Sequence, residues 1–584
     1  MSTTRTISQG NDAEQLIARA ESAPPIEAAE LKLRAAEMLM RQQQTEQAVA
    51  LLDSIDTRNL PPSLAFDITR LRVNQALEAD DASRALSLLD TRALPSLSQP
   101  QQTELGELRA EAYSQQSQPL SAALELIAIA NFPQSPEQKQ AMHDRIWSLL
   151  QQAPSTELQQ AARARDNGYY EQGWLELALA SRDTRNLTES NDALSQWRTL
   201  WEDHPAFALP PMDLATPQIA PLHAGRIGLL LPLSGPLAEP ARAISEGFYS
   251  AMMTSQQPNS APDVVTIDST RISTPAQLAS LAQQQRLELI IGPLSRDYVM
   301  QLSQIQNFPL PILALNKATP GSALYQLELS SDQEARLVAE RAWQDGHRRV
   351  ALIVPDADWG KHLASSLTDS FTSLGGQVVE TLAYQSGQDF SSQISQLLLT
   401  DRSAARAREV RRIIGQSIDF NERPRDDIDA ILLTALPQDA RQIKPMLAFH
   451  FAGDIPVYAT SHIYEGTPDP MRDVDLNGIQ FLDLPWVLNP PSEAHLALNQ
   501  TRQDTDSRFG RLYALGIDAY RVFPYLYSLS QSPGAYIEGE TGQLSLDNQR
   551  QVKRALPWAV FSDGVPRVQP AKTLESTQQN LPMN

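Results

Sequence analysis

Five prolines fall within 17 residues of this chain, in the run Pro205-Ala-Phe-Ala-Leu-Pro210-Pro211-Met-Asp-Leu-Ala-Thr-Pro217-Gln-Ile-Ala-Pro221. Proline fixes φ and has no backbone N–H, so neither a helix nor a central strand continues through such a stretch. The texture changes across it. Before the seam the chain has helical periodicity and an internal repeat. After it, Arg226-Ile-Gly-Leu-Leu-Leu-Pro-Leu-Ser-Gly235 opens a series of apolar strands alternating with helices. The expected organisation is a helical domain over residues 1–204, a Pro-rich linker over 205–224 and an α/β domain over 225–584. A connection so dense in proline favours a stiff, extended linker.

Bulk composition narrows the function. Net charge is −21, and both parts are acidic: residues 1–220 hold 18 Lys/Arg against 30 Asp/Glu, the remainder 30 against 39. That argues against nonspecific binding to nucleic acid or to an anionic membrane surface. The absence of cysteine removes disulfides, thiolate zinc sites and cysteine nucleophiles together. No run reaches the ~18 apolar residues that span a bilayer. Residues 1–12 lack the apolar region of a secretory signal, so the sequence reads as a soluble chain or a trimmed version of an exported one. A monomer is expected.

Residues 25–202 read as helix pairs. Ala48-Val-Ala-Leu-Leu-Asp53, Ala85-Leu-Ser-Leu-Leu-Asp90 and Ala123-Leu-Glu-Leu-Ile127 align, with the alanines 37 and 38 residues apart. A small residue followed by large apolar ones three and four positions on puts a close-packing spot and its knobs on one helix face. Two helices per unit at this period are the signature of a solenoid resembling a degenerate tetratricopeptide array. An irregular bundle is the alternative. The aromatics Trp147, Tyr169, Tyr170, Trp174, Trp197 and Trp201 gather toward the end of this part, either packing its last helices or forming a binding surface.

Past the seam, strands at Ile227–Pro232, Asp263–Ile267, Glu288–Pro293 and Pro311–Asn316 alternate with helices. The rhythm restarts with Arg349–Val354, Gln377–Glu380, Asp429–Thr434 and Pro456–Thr460. Short apolar runs alternating with helices imply parallel sheets covered on both faces. Two such series imply two lobes and a cleft. Ligands in open α/β sheets bind beyond the carboxyl ends of the strands. The candidate cleft residues are therefore Ser234, Gly235, Pro293, Ser295, Asn316, Lys317, Asp356, Trp359, Thr434 and Thr460.

The usual catalytic motifs are missing. There is no phosphate-cradling Gly-x-x-x-x-Gly-Lys-Ser/Thr, no Gly-x-Ser-x-Gly elbow and no His-Glu-x-x-His. Neither an enzyme nor a bound cofactor or metal is expected. One basic run stands out, Arg402-Ser-Ala-Ala-Arg-Ala-Arg-Glu-Val-Arg-Arg412. If helical, it aligns Arg402 with Arg406, and Arg408 with Arg411 and Arg412. Arg408, Arg411 and Arg412 are candidate docking residues for a partner protein or an anionic cell-wall polymer. A merely solvated helix face is the other reading.

Ile227-Gly-Leu-Leu-Leu-Pro-Leu-Ser-Gly-Pro236, Ile290-Ile-Gly-Pro-Leu294 and Leu313-Ala-Leu-Asn316 resemble the type I periplasmic binding proteins, in which two Rossmann-like lobes close on a ligand. With the helical part added, the chain is similar over nearly its whole length to the LpoA family of outer-membrane lipoproteins that activate penicillin-binding protein 1A. The most specific stretches are Gln172-Gly-Trp-Leu-Glu-Leu177, Gly292-Pro-Leu294, Gln442-Ile-Lys-Pro-Met446, Arg511-Leu-Tyr-Ala-Leu-Gly-Ile-Asp-Ala519 and Gly539-Glu-Thr-Gly-Gln-Leu544. The resemblance implies a periplasmic, outer-membrane-associated regulator of peptidoglycan synthesis. It would bind penicillin-binding protein 1A and stimulate its transpeptidase, with peptidoglycan as a further partner. The family's lipid-modified cysteine and signal peptide have no counterpart in this sequence. Amino-acid receptors of the binding-protein fold hold their ligand with Ser/Thr hydroxyls, and Asn316-Lys317 departs from that pattern. A solute-binding or sensing protein for a small metabolite such as an amino acid is the alternative, and it leaves the helical domain without a role.

Overall fold

The computed structural model describes residues 4–89, 97–132, 135–182, 185–215, 224–255, 261–416, 423–502, 505 and 509–570. The chain divides into two compact units, Met1–Ile219 and Ala220–Asn584.

The first unit is helical among its described residues: α1 Thr4–Ala20, α2 Pro25–Arg41, α3 Thr45–Asp53, α4 Pro62–Glu78, α5 Ala82–Leu88, α6 Gln99–Gln115, α7 Pro119–Ile129, α8 Pro136–Gln152, α9 Ser155–Ala162, α10 Tyr169–Ala180, α11 Leu187–Leu200, α12 Pro205–Ala208 and α13 Met212–Ala215. The long helices α2, α4, α6 and α8 each have 17 residues, begin 37 residues apart, and carry proline at the first or second position. Proline costs nothing there, because the first N–H groups of a helix have no intrahelical partner. Gln43, Asp80 and Ser117, again 37 apart, take positive φ in the turns into the shorter helices. Ala48, Ala85 and Ala123 are fully buried on α3, α5 and α7, as a close-packing spot requires. The guanidinium of Arg72 donates to the carbonyls of Leu52 and Ile55, and Arg109 to that of Leu89, so α4 and α6 each close the exposed end of the preceding unit. This is a tetratricopeptide-like solenoid.

The aromatics resolve mainly as packing. Trp147, Trp174 and Trp197 are buried, and the His204 ring lies 5.5–6.1 Å from Tyr169, Tyr170, Trp174, Trp197 and Trp201. The seam differs from the expected linker. Residues 205–215 belong to the helical unit: α12 buries Ala206, His143 Nδ1 donates to the Leu209 carbonyl at 2.7 Å, and Asp144 accepts from the Met212 N–H. The prolines did not prevent this, because Pro205 begins α12 and Pro211 precedes α13. The remainder of the seam, residues 216–223, lies outside the described residues.

The second unit holds two parallel sheets. In the first lobe, β1 Arg226–Leu231, β2 Asp263–Asp268, β3 Leu289–Ile291, β4 Ile312–Ala314 and β5 Tyr325–Gln326 lie in the order β2-β1-β3-β4-β5. In the second, β6 Arg349–Pro355, β7 Gln377–Tyr384, β8 Ala430–Leu433, β9 Val457–Ala459 and β10 Ile479–Leu482 continue into an antiparallel edge, with β14 Trp558–Ser562 and β15 Val565–Val568, in the order β15-β14-β10-β9-β8-β6-β7. A small antiparallel sheet, β11 Ile537–Gly539, β12 Gly542–Leu546 and β13 Val552–Ala555, follows the lobe-linking helices. The strands β6 and β8 are buried on both faces, as parallel strands between helices must be.

The helices are α14 Ala238–Thr254, α15 Pro275–Gln284, α16 Arg296–Ser303, α17 Ser331–Gln344, α18 Asp358–Ser373, α19 Phe390–Leu397, α20 Thr400–Ile414, α21 Pro437–Phe449, α22 Pro470–Asp473, α23 Pro485–Leu488, α24 Glu493–Thr501, α25 Gly510–Val522 and α26 Leu526–Gln531. The chain crosses between lobes after β5, after α23 and after β13. The lobes are not joined by crossovers alone. One continuous core runs from Val338 and Leu352 of the second lobe through Tyr513 and Ile517 of α25 to Ala243 and Ala251 of α14. The helices α14 and α25 approach so closely that a Cβ on Gly247 would lie 2.1 Å from the Tyr513 carbonyl oxygen, and one on Gly516 2.0 Å from that of Ile244.

Candidate functional site

The carboxyl ends of β6, β8 and β9 meet the N-termini of α17, α18 and α21 around a cavity of about 260 Å³. Ser331, Trp359, His362, Leu363, Leu436 and His462 line it. The turns after β6 and β8 start α18 and α21 at this place, and α17, capped by Ser330 on the Gln333 N–H, begins beside them. The Trp359 indole stacks on the His462 imidazole, centroids 5.2 Å apart and planes 22° apart. Thr460 Oγ1 lies 3.1 Å from His462 Nδ1 and fixes the ring. Burial pushes the His462 pKa down, with Glu334 opposing and Arg511 adding to the fall.

A second layer of charge lies behind it. Glu334 Oε2 accepts from the Ser461 hydroxyl at 2.7 Å and from its N–H at 3.2 Å. Arg511 forks onto Asp483, Nε to Oδ1 at 3.1 Å and Nη2 to Oδ2 at 2.6 Å. Burial drives the Asp483 carboxyl up to about 6, although Arg511 pulls it down. Gln333 donates to the Arg554 carbonyl at 3.0 Å and accepts from Arg554 Nε at 3.2 Å, tying α17 to β13.

Of the expected cleft residues, Trp359 lines the cavity. Lys317 reaches its rim from the first lobe: its ammonium lies 3.0 Å from Asp332, which also accepts from Ser366 at 2.7 Å and meets His362 Nε2 at 2.7 Å. Burial works to raise the Asp332 carboxyl, but Ser366, Lys317 and His362 outweigh it and hold it below the usual carboxylate range. Thr460 acts through His462. Thr434 is fully buried at the end of β8, and its hydroxyl has no partner among the described residues.

The others are placed apart from the cavity lining. Ser234 bonds Thr270, with Gly235 beside it in the turn after β1. Pro293 follows a cis Gly292–Pro293 bond and Ser295 begins α16. Asn316 donates to the Leu294 carbonyl, and Asp356 pairs with Lys361. Ser331, Asp332, Glu334, His362, His462, Asp483 and Arg511 were not among the expected residues. The only sequence signal for His462 is its place two residues beyond Thr460.

The basic run forms a helix, α20. Arg408, Arg411 and Arg412 are exposed on it, and Arg412 pairs with Glu409 at 2.5 Å. Among the described residues no group of three or more His, Asp or Glu is placed to hold a metal ion. Among the described residues no helix is long and apolar enough to cross a membrane.

Residues 8–564 match the family described as "LppC putative lipoprotein". The chain is 26% identical over 559 residues to the penicillin-binding protein activator LpoA of Photobacterium profundum, covering 94% of this chain and 90% of that one. It is 26% identical over 527 residues to the activator LpoA of Vibrio cholerae, covering 88% and 86%. Among solved structures it is similar to LpoA of Haemophilus influenzae, at 23% identity and a TM-score of 0.48, covering 96% of this chain and 98% of that one. A family match that begins in the first helix and ends after β14 takes in both units, and the chain belongs to the LppC lipoprotein family.

Proposed function

We propose that this protein is a periplasmic, outer-membrane-associated regulator of peptidoglycan synthesis that binds penicillin-binding protein 1A and stimulates its transpeptidase. The observation that carries this reading is the extent of the likeness to proteins named as penicillin-binding protein activators, about nine-tenths of both chains. An activator of this kind works by docking: it binds the active conformation of the synthase better than the resting one. A coupling of about 1–3 kcal/mol corresponds to roughly 5–150-fold in the affected equilibrium. The core shared by both lobes suits a rigid docking body, since separating the lobes would expose apolar surface. The test is cross-linking of lipid II by the cognate penicillin-binding protein 1A with and without the full chain. A several-fold rise, absent in a penicillin-treated control, supports the reading. No rise, together with no binding, removes it.

One observation favours a second reading, the cavity at the strand ends between Trp359, His362 and His462. Its volume suits a small metabolite. A thermal-shift screen against amino acids tests this, because a ligand at about 100 times its Kd stabilises by ~2.7 kcal/mol.

A further inference from the structure

The helix α20 is attached to the second lobe chiefly by its first turns. Thr400 is the one fully buried residue on it. Thr400 Oγ1 lies 3.3 Å from Nδ1 of the buried His450, whose Nε2 lies 3.0 Å from the Ser391 hydroxyl. Ser403, Ala404 and Ala407 are half-buried, and every residue from Arg408 to Gly415 is exposed. By helical spacing, Ser403, Ala407, Val410 and Ile414 form one line. The line is partly covered at its start and open at its end, where Val410, Ile413 and Ile414 are 41, 73 and 56% exposed. Arg406 borders it on one side and Arg411 on the other. The helix carries five arginines and two acids in a chain whose net charge is −21. Among the described residues Arg402, Arg406 and Arg408 make no ion pair. Beside the root of the helix, on either side of His450, Phe449 and Phe451 are 66 and 60% exposed.

We infer that α20, with Phe449 and Phe451, is the surface by which this protein docks on a partner protein, and that the partner presents carboxylates around an apolar seat. The inference rests on the regulatory reading above, under which that partner is the synthase. The charge pattern sets the partner's sign. Arginine and phenylalanine are enriched where protein surfaces meet, and arginine forks pair with carboxylates. The aliphatic line sets the class of partner. A hydrated anionic polymer would leave Val410 and Ile414 as exposed as before. An anionic bilayer needs a continuous apolar face along the whole helix, broader than the narrow Val410–Ile414 line on α20 with Phe449 and Phe451 set apart at its root. A helix laid in a groove uses both features, anchors at i, i+4 and i+7 for the seat and flanking charges for the rim.

The test compares the full-length protein with two exposed-surface variants in binding to the cognate penicillin-binding protein 1A. The first is Arg402→Glu/Arg406→Glu/Arg408→Glu, the second Val410→Ser/Ile414→Ser. Arg242→Glu on α14 is the control, and the melting transition checks folding. The charge variant is expected to bind at least about thirtyfold more weakly and to lose most of the salt dependence of Kd. The aliphatic variant should bind about tenfold more weakly with its salt dependence kept, and the control within twofold of the parent. If the parent binds and both variants bind equally well, the docking inference fails and the regulatory reading stands. If the parent does not bind the synthase, both fail. If the charge variant instead loses retention on peptidoglycan sacculi, or on vesicles of phosphatidylglycerol and cardiolipin, while still binding the synthase, α20 faces a polymer or a bilayer and the inference is overturned.

Discussion

The Lys317 ammonium lies 3.0 Å from Asp332 Oδ2, and the two residues stand on opposite sides of the first crossover between the lobes. The pair is unequal. Lys317 is half exposed and has this one carboxylate, whereas Asp332 also holds Ser366 and His362. Lys317→Ala should therefore cost less than about 1 kcal/mol, as exposed ion pairs do. Asp332→Ala releases three partners at once and should cost about 1–2 kcal/mol. Urea unfolding of both variants checks this, and equal costs would remove Asp332 as the organising group.

The contact of α14 with α25 gives a larger effect. At Gly516 the space for a methyl group is already taken by the Ile244 carbonyl oxygen, and at Gly247 by that of Tyr513. Alanine is the better helix former by about 1 kcal/mol, so propensity alone predicts a gain. The clash is with backbone, which cannot rotate away, and overpacking of this kind costs about 1–3 kcal/mol or more. Gly516→Ala should lower the unfolding free energy by about 2 kcal/mol net, and a rise in Tm would show that the helices slide apart freely.

That contact also marks where the sequence stopped being readable. The strands β1 to β4 and β6 to β9 fall within a few residues of their expected places, because most are short apolar runs bounded by turn residues and alternating with helical spacing. Thr274, immediately before Pro275, caps α15 by accepting from the Gln277 N–H. The antiparallel edge β14–β15 and the hairpins of β11–β13 were missed. Their alternation is weak, and their partners are distant: β14 pairs with β10, some eighty residues earlier. The cavity was half legible. Strand ends pointed to Trp359 and Thr460, while His362 lies one turn into α18, where no local pattern distinguishes a lining residue from a solvated one. The repeat was found through its alanines, although the prolines at 25, 62, 100 and 136 announce it equally well.

The repeat makes its own prediction on a single helix. On α3, Ala48 is fully buried and Ala50 is exposed. Valine carries the same helix penalty at either site, at most about 0.7 kcal/mol. Ala48→Val must also fit two methyl groups into a packed spot, for about 1–3 kcal/mol. The two variants should separate by at least about 1 kcal/mol in denaturant unfolding. If they unfold together, Ala48 is not a packing spot and the alanine spacing is an echo of composition.

Asp518 of α25 offers a test through pH. Its carboxylate is fully buried and accepts from the N–H groups of Glu540 and Thr541, both at 2.7 Å, and from the Thr541 hydroxyl at 2.5 Å. Burial nevertheless pushes its pKa up to about 6, with Arg521 opposing. A carboxyl raised on folding binds its proton more tightly in the native state. Its stabilising contribution is therefore complete below the unfolded value of 3.8 and is lost as the pH rises through about 6. Between pH 5 and pH 7.5 the loss amounts to about 1.4 kcal/mol for this one group. Asp518→Asn removes the titration. It also turns an amide toward N–H donors, which lowers stability by an amount that does not depend on pH. The unfolding free energies of parent and variant should thus converge as the pH rises from 5 to 7.5, by about 1.4 kcal/mol. Parallel curves would mean that the three hydrogen bonds to the charged form outweigh burial, and that Asp518 is ionised throughout this range.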